Sequence, residues 1–396
     1  MGKEFTISNC SICGSPTEEI YLMHFVNLIG LNHDYVQKIH ICNNCGFIFV
    51  ANPFNKKKLE DIYTSLSKFE AVRSADGFIE RKDYIRRAKT QYKFVYDNIS
   101  EVRSVLDIGA STGFGLSLFK ESGCKVFGVD PSVNNKETAK KVYGIDLYTG
   151  MFDAYITEYP NTQYDLVFLS HVLEHVIDPM DFMKKVSSIS SRYIFIEVPV
   201  LDCKYADEPF GHFCDEHINH FTTESLSNLM KRLEYTPIQF FMNYYLYDKC
   251  PSGKPAIMTL WEKRKNIQWS FKPVINSRQY FDAYINDSAL RYKEVAAAVD
   301  RINDNLKLAV WGVGNHTAKL FGMTNLGKKN IVKYYDNDPQ KQMSKIRGIP
   351  IDKFNIKDIQ EGYVEKILIS TYTALKSILQ ELEQYGINDR IIKLYE

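Results

Sequence analysis

No stretch of the sequence reaches the roughly 18 consecutive apolar residues that a membrane-spanning helix needs, and the opening MGKEFTISNC has none of the apolar core of a secretion signal. The expectation is a cytoplasmic protein with no membrane partner. Charge of one sign is equally scarce. Lys and Arg number 49 against 48 Asp and Glu, a formal charge of +1, and the basic residues are scattered apart from a short EKRK around Lys263. A large phosphate-neutralising surface is therefore not expected, which argues against a nucleic-acid partner. There is no fixed-period repeat, and an apolar fraction of 45% with 24% charged residues is that of ordinary folded protein rather than of a disordered chain. At 396 residues the chain is too long for one average domain, and two or three are expected, each able to bury a core.

The cysteines fall into two groups. Cys124, Cys203, Cys214 and Cys250 are spread out and, in a reducing compartment, read as small apolar fillers. Cys10, Cys13, Cys42 and Cys45 form two Cys-x-x-Cys knuckles, NCSICGS and ICNNCGFIFV, each followed by a glycine that permits a tight turn. Four thiolates at this spacing can close a tetrahedron around Zn²⁺, with no position left for water or substrate, so a structural site is expected; a redox dithiol is the alternative. The segment between the knuckles alternates like strands, and a zinc staple suits a region too small to be held by its own core.

Helical periodicity follows from KKKLEDIYTSL to KFVYDNI, and the first unit is placed at residues 1–85. Over 86–265, apolar strands alternate with amphipathic helices: SVLDIGA, FGLSLFKESG, KVFGVDPS, YDLVFLSHVLEHV, MDFMKKVSSIS, RYIFIEVPV. That alternation predicts a parallel sheet with helices on both faces. A mostly polar connecting segment, helical toward its end, leads into a second unit of the same kind, and the third division is residues 266–396. The fold class is thus α/β, with a Rossmann-like central sheet, a small zinc-stapled N-terminal domain and a Rossmann-like C-terminal domain.

The stretch VLDIGASTGFGLSLFKESGCKVFGVDPS sets a glycine loop between two acids, Asp107 and Asp130. The loop Gly109, Ala110, Ser111, Thr112, Gly113 leads from a strand into a helix and offers main-chain N–H groups to a close ligand. A dinucleotide's pyrophosphate would be repelled by Asp107, whereas a donor with an ammonium and a sulfonium would be favoured by it. DIGASTG and GVDPS resemble the first two motifs of class I S-adenosylmethionine-dependent methyltransferases. The resemblance implies that Gly109 to Gly113 pass the amino-acid end of the donor and that Asp130 accepts its ribose hydroxyls. It also implies that Asp153 or its neighbours lie near adenine, and that His171 belongs with the donor-binding residues. The usual middle glycine is Ser111 here, which is tolerated where φ stays negative.

Taken whole, the chain is similar to sugar methyltransferases typified by the nucleotide-linked deoxysugar C-methyltransferases: knuckles in front, donor motifs in the middle, AVWGVGNHTAKLFG and YYDNDPQKQMSKIRGIPI behind. The resemblance implies a nucleotide-activated sugar as substrate, in glycan biosynthesis, and a monomer or homodimer. Glu216 and His217 match the Glu-His of the family's Tyr-x-Glu-His segment, whose histidine is the base; Cys214 stands at the tyrosine position. Tyr63 corresponds to a family tyrosine at the substrate. His175 corresponds to a further active-site histidine, although Glu-His recurs in that helix across unrelated methyltransferases and favours a structural role.

Transfer to carbon needs a base and a donor to hold the enolate oxygen, a task for which cysteine replaces a phenol poorly. Transfer to oxygen needs only removal of a hydroxyl proton, which His217 could perform if oriented by Glu216 or Asp215, with His220 and His212 behind it. O-methylation is therefore expected, with C-methylation of a 4-keto sugar, or an RNA or protein substrate, as alternatives. The C-terminal WGVGNHT, with Gly312, Gly314, Asn315 and His316, lacks the third glycine of a nicotinamide fingerprint. Dinucleotide binding, contact with the substrate and a purely scaffolding role stay open for it.

Overall fold

In the computed structural model, residues 6–26, 34–65, 72–74, 77–80, 82–203, 208–245, 254–264, 276–339 and 341–395 are described. Cys250 and the start of the connecting segment, 265–275, lie outside them. Among the described residues no helix is long and apolar enough to cross a membrane.

The central sheet has seven strands in the spatial order Tyr235–Tyr245, Lys254–Lys263, Ser190–Pro199, Tyr164–Ser170, Ser104–Ile108, Lys125–Asp130, Tyr148–Thr149. The last five are parallel, and the first two form an antiparallel pair along one edge. These parallel strands read as near-continuous apolar runs because helices cover both faces; Val105, Leu166, Val167 and Phe195 are completely buried. Strand Ser104–Ile108 has the next strand in sequence on one side and Tyr164–Ser170 on the other. Winding reverses there, leaving a crevice beyond the carboxyl ends of the strands where ligands of α/β sheets bind.

The covering helices follow from local signals. Over Pro179–Ile189, Asp178 caps the start by accepting the Asp181 N–H at 2.9 Å, Pro179 occupies the first turn, and Met183, Val186 and Ile189 fall on one face. Each such fully buried apolar side chain contributes about 1.5–3 kcal/mol. Helix Lys82–Asn98 buries Ala88, Gln91, Phe94 and Val95, again at threes and fours, and Phe94 and Val95 join a core with Leu116, Phe119, Phe168 and Phe195. It runs straight through residue 85, so the division expected there falls inside a helix.

The N-terminal sheet is antiparallel, in the order Thr17–Phe25, Tyr35–Cys42, Ile48–Val50, Asn219–His220. Its fourth strand belongs in sequence to the 86–265 span, an exchange that no local pattern announces. The C-terminal sheet has six strands ordered Lys345–Ile346, Ile349–Asp352, Ile331–Tyr335, Leu308–Trp311, Lys366–Ile369, Ile391–Lys393, parallel except for the first pair. One hydrophobic core runs through residues of both outer sheets, including Met23, Ile39, Phe210, Phe213, Phe281, Val310 and Leu320. Helix Ser277–Asp300 supplies its middle layer with Phe281, Tyr284, Tyr292, Val295 and Val299.

Candidate active site

The glycine loop leaves strand Ser104–Ile108 through two left-handed glycines, Gly109 at φ +82 and Gly113 at φ +80. A Cβ on Gly109 would lie 2.8 Å from Val172 Cγ2, so glycine is required there on both counts. Ser111 is also left-handed, at φ +50, which corrects the expectation that a serine here keeps a negative φ. Its N–H points at Asp130 and donates to Oδ2 at 2.8 Å. Asp130 Oδ1 accepts from Ser132 N at 2.9 Å and Asn135 Nδ2 at 3.0 Å. Burial raises the Asp130 pKa, and these three donors work the other way. A carboxylate offers about four acceptor positions, so Asp130 is held rigidly and keeps room at Oδ2 for a ligand hydroxyl.

Asp107 lies beside this carboxylate, buried, with Oδ1 lacking any partner. Burial, and then the nearby Asp130, push it up to about 8, against the pull of Arg87. A buried carboxyl oxygen without a donor fits a ligand that brings a cation. The residues therefore suit the donor that the motifs imply. Asp153 is different: Lys56 Nζ lies at 2.5 Å and Lys185 Nζ at 2.9 Å, and although burial works to raise its pKa these lysines lower it. Its neighbours Gly150, Met151 and Phe152 share the wall with it.

One cavity of about 900 Å³ takes in Gly109, Ser111, Asp130, Asp153 and His171 and continues to Tyr63, Glu174, His175, Cys214, Glu216 and His217. His171 follows strand Tyr164–Ser170 at φ +54 and bonds Glu174 Oε1 through Nδ1 at 2.9 Å. Glu174 is fully buried; burial works to raise its pKa, but His171, His175 and His217 bring it down to about 2. His175 places Nδ1 3.0 Å from the Glu216 carbonyl oxygen and Nε2 3.9 Å from Glu174 Oε1. Burial lowers its pKa, more than Glu174 raises it.

His217 places Nδ1 3.1 Å from the His212 carbonyl oxygen. A carbonyl can only accept, so both His175 and His217 donate from Nδ1. The partner seen at Nδ1 of His217 is thus a main-chain carbonyl. The two rings stand 5.0 Å apart, and the ligand atoms of Glu174, His175 and His217 all lie within 4.8 Å of one another. Tyr63 packs edge-on against His175, its buried hydroxyl without a partner, and burial with Glu216 beyond it raises its pKa strongly. His212 reaches the wall; His220 does not. His220 is fully buried, both ring nitrogens lack partners, and burial pushes it down to about 3, which removes it as a base candidate. Cys214 lies on the wall too, unlike a core filler.

Glu174 is the residue that sequence reasoning passed over. Its signal was present: His171 stands three residues ahead of it and His175 directly after.

Away from the cavity, Cys10 Sγ lies 3.4 Å from Cys45 Sγ and Cys13 Sγ 3.3 Å from Cys42 Sγ, with all four sulfurs within 4.8 Å of one another. These separations are too long for disulfides and near the roughly 3.8 Å edge of a tetrahedron with Zn–S bonds of about 2.3 Å. Hydrogen bonding from Cys10 holds Cys42 down at about 2, while its neighbours push Cys10 and Cys45 up. So crowded a set can ionise together only around a cation, and the four residues fit a closed metal site.

Residues 80–240 match a family described as methyltransferase domain, and residues 304–392 match one described as C2185-like, N-terminal. The C-methyltransferase NovU of Streptomyces niveus is 29% identical over 132 residues, which is 32% of this chain and 31% of that relative's length. Among solved structures, magnesium protoporphyrin IX methyltransferase from Synechocystis PCC 6803 with bound SAM covers 53% of this chain and 97% of its own, at 12% identity and a TM-score of 0.39. The [4+2]-cyclase SpnF covers 54% and 98%, at 10% identity and a TM-score of 0.41. Residues 80–240 of the chain are thus a methyltransferase domain.

Proposed function

We propose that this chain transfers a methyl group from S-adenosylmethionine to a hydroxyl oxygen of a nucleotide-activated sugar, with His217 as the base. The observation that carries the reading is the single cavity whose walls hold the donor loop and the Tyr63, Glu174, His175, Glu216, His217 cluster together. Its volume of about 900 Å³ is at the top of the range for small-molecule sites, room for a donor and an acceptor at once.

When bound, the donor supplies an electrophilic methyl on a sulfonium. The protein's own residues do the rest. Asp107 takes the cationic amino-acid end beside the Gly109–Gly113 turn, where the N–H groups of Gly109, Ala110, Ser111 and Gly113 are already bonded to Val129, Asp130 and Ala110 and do not serve the ligand, and Asp130 takes the ribose. His217 receives the acceptor's proton at Nε2, and Glu174, ionised and buried, stabilises the resulting imidazolium. Holding both substrates together and keeping water out accounts for much of the rate. The sugar part of the reading rests on the order of parts along the chain and on a formal charge of only +1. Cys10, Cys13, Cys42 and Cys45 would hold a structural Zn²⁺.

A second reading, C-methylation of a 4-keto sugar, is favoured by two observations. NovU, the relative from Streptomyces niveus, is a C-methyltransferase. The unpartnered hydroxyl of Tyr63 is a donor that could hold an enolate oxygen. Mass spectrometry of GDP-, dTDP-, UDP- and CDP-linked sugars, keto and hydroxylated, incubated with the protein and S-adenosylmethionine tests both. One methylene gained by a hydroxylated sugar supports the first reading and by a keto sugar the second; no gain by any member overturns the sugar substrate.

A further inference from the structure

The loop that carries His217 does not hold itself. Residues 208–217 are a series of tight turns, Gly211 N to Glu208 O at 2.9 Å and Phe213 N to Phe210 O at 3.0 Å, with Phe210 in the left-handed region at φ +55. A phenylalanine in that conformation needs its surroundings to keep it there. The surroundings come from elsewhere in the chain. His212 N donates to the Tyr284 hydroxyl at 2.8 Å, and Gln37 Nε2 donates to the Cys214 carbonyl at 2.8 Å.

The largest anchor is Lys319, on helix Asn315–Met323 of the C-terminal sheet's layer. Its side chain is 1% exposed, and Nζ reaches Glu208 Oε1 at 2.8 Å, the Phe210 carbonyl at 3.0 Å and the Phe213 carbonyl at 3.5 Å. An ammonium has three N–H groups, and here each has an acceptor on this one loop. Two apolar residues would stabilise such a buried place about as well as an ion pair, so stability alone is a weak reason for the pair. What it adds is direction: it fixes the carbonyls on both sides of His212, and the His212 carbonyl is the group that holds Nδ1 of His217. Asn315, one turn before Lys319 on the same helix, lies on the cavity wall.

We infer that Lys319 is a positioning residue through which the C-terminal unit sets the ring orientation and tautomer of His217. The inference rests on the reading of His217 as base. The helix thereby ties the far wall of the cavity to the proton acceptor, and the C-terminal unit does more than enclose the site.

The test compares Lys319→Met, Glu208→Gln and the double variant in the full chain, by thermal melting, binding of S-adenosylhomocysteine, turnover, and nitrogen-15 spectra of histidine-labelled protein. Glu208→Gln keeps an acceptor for the ammonium but removes its counter-charge, so it melts early, while turnover of the folded protein stays within a few-fold. Lys319→Met strands a buried carboxylate and is expected to melt early. In the double variant no charge is stranded and melting recovers, yet turnover stays down by about 10²-fold with cofactor affinity unchanged, because the base is misplaced. The His217 signals then show both tautomers where the unmodified protein shows Nδ1–H alone. A double variant with full turnover and one tautomer overturns the inference and leaves the pair a packing element. The nitrogen-15 readout needs no acceptor, so it decides the positioning claim even if no nucleotide sugar is methylated, an outcome that would count against the proposed substrate alone.

Discussion

Ser111 donates its main-chain N–H to Asp130 Oδ2 at 2.8 Å from a left-handed conformation, φ +50, that serine rarely adopts. The bond couples the first donor motif to the second: the turn must be wound this way for the loop to brace the acid. Left-handed backbone costs a non-glycine residue roughly 1–2 kcal/mol. Ser111→Gly should raise stability by about 0.5–1 kcal/mol after the entropy lost by the unfolded chain is counted, with cofactor affinity kept. Ser111→Val should lose stability by a similar amount and weaken binding of S-adenosylhomocysteine. Denaturant melts and calorimetric titration check both; equal stability of the glycine and valine variants would mean the loop is wound differently.

Asp130→Ala removes the ribose acceptor and also strands the N–H groups of Ser111, Ser132 and Asn135. Affinity for S-adenosylhomocysteine should fall at least tenfold, and stability by about 1–3 kcal/mol for the donors left unpaired. Unchanged affinity would displace the cofactor site from this loop.

Asp107 gives a pH dependence with a definite sign. Its folded pKa of about 8 lies above the ordinary aspartate value near 3.9. Between those values the folded protein keeps a proton that the unfolded chain has lost. This group's contribution to stability is therefore fully present at the acid end of the window and is lost as pH rises through about 8. Asp107→Asn should be more stable than the unmodified protein at pH 7.5 by more than about 1 kcal/mol in the absence of ligand. Binding a cationic donor at neutral pH should release a proton, seen as a binding enthalpy that differs between phosphate and Tris buffers. Identical enthalpies would leave Asp107 out of the donor site.

His217→Asn should lower turnover by about 10²–10⁴-fold while leaving cofactor affinity within twofold. Tyr63→Phe separates the two chemistries. It should cost O-methylation no more than a few-fold, whereas loss of an enolate donor would cost C-methylation about 10²-fold.

Metal content tests the two cysteine knuckles and the acceptor cluster together. One zinc per chain is expected, and Cys45→Ser should abolish it and lower the melting temperature. Glu174, His175 and His217 also have ligand-like spacing. A second equivalent of metal lost in His217→Asn would replace the free-base role of His217 with coordination.

What neighbouring residues can specify is legible in the sequence: the strand, glycine turn and helix around DIGASTG, the acid closing GVDPS, and the paired knuckles. Each is a backbone geometry written in a handful of consecutive residues, so composition and spacing reveal it. Even there the sign of φ at Ser111 was hidden, because only the bond to Asp130 from another strand compels it. Tertiary structure decided the acceptor side. His175 follows one strand of the central sheet, while His217 sits on a loop braced by Lys319, Tyr284 and Gln37 from three other parts of the chain. The rejection of His220 came the same way, since strand Asn219–His220 is drawn into the N-terminal sheet and buried. Such meetings depend on which sheet edges pair and which helices fill the space between them, a property of packing over the whole chain that no local pattern encodes.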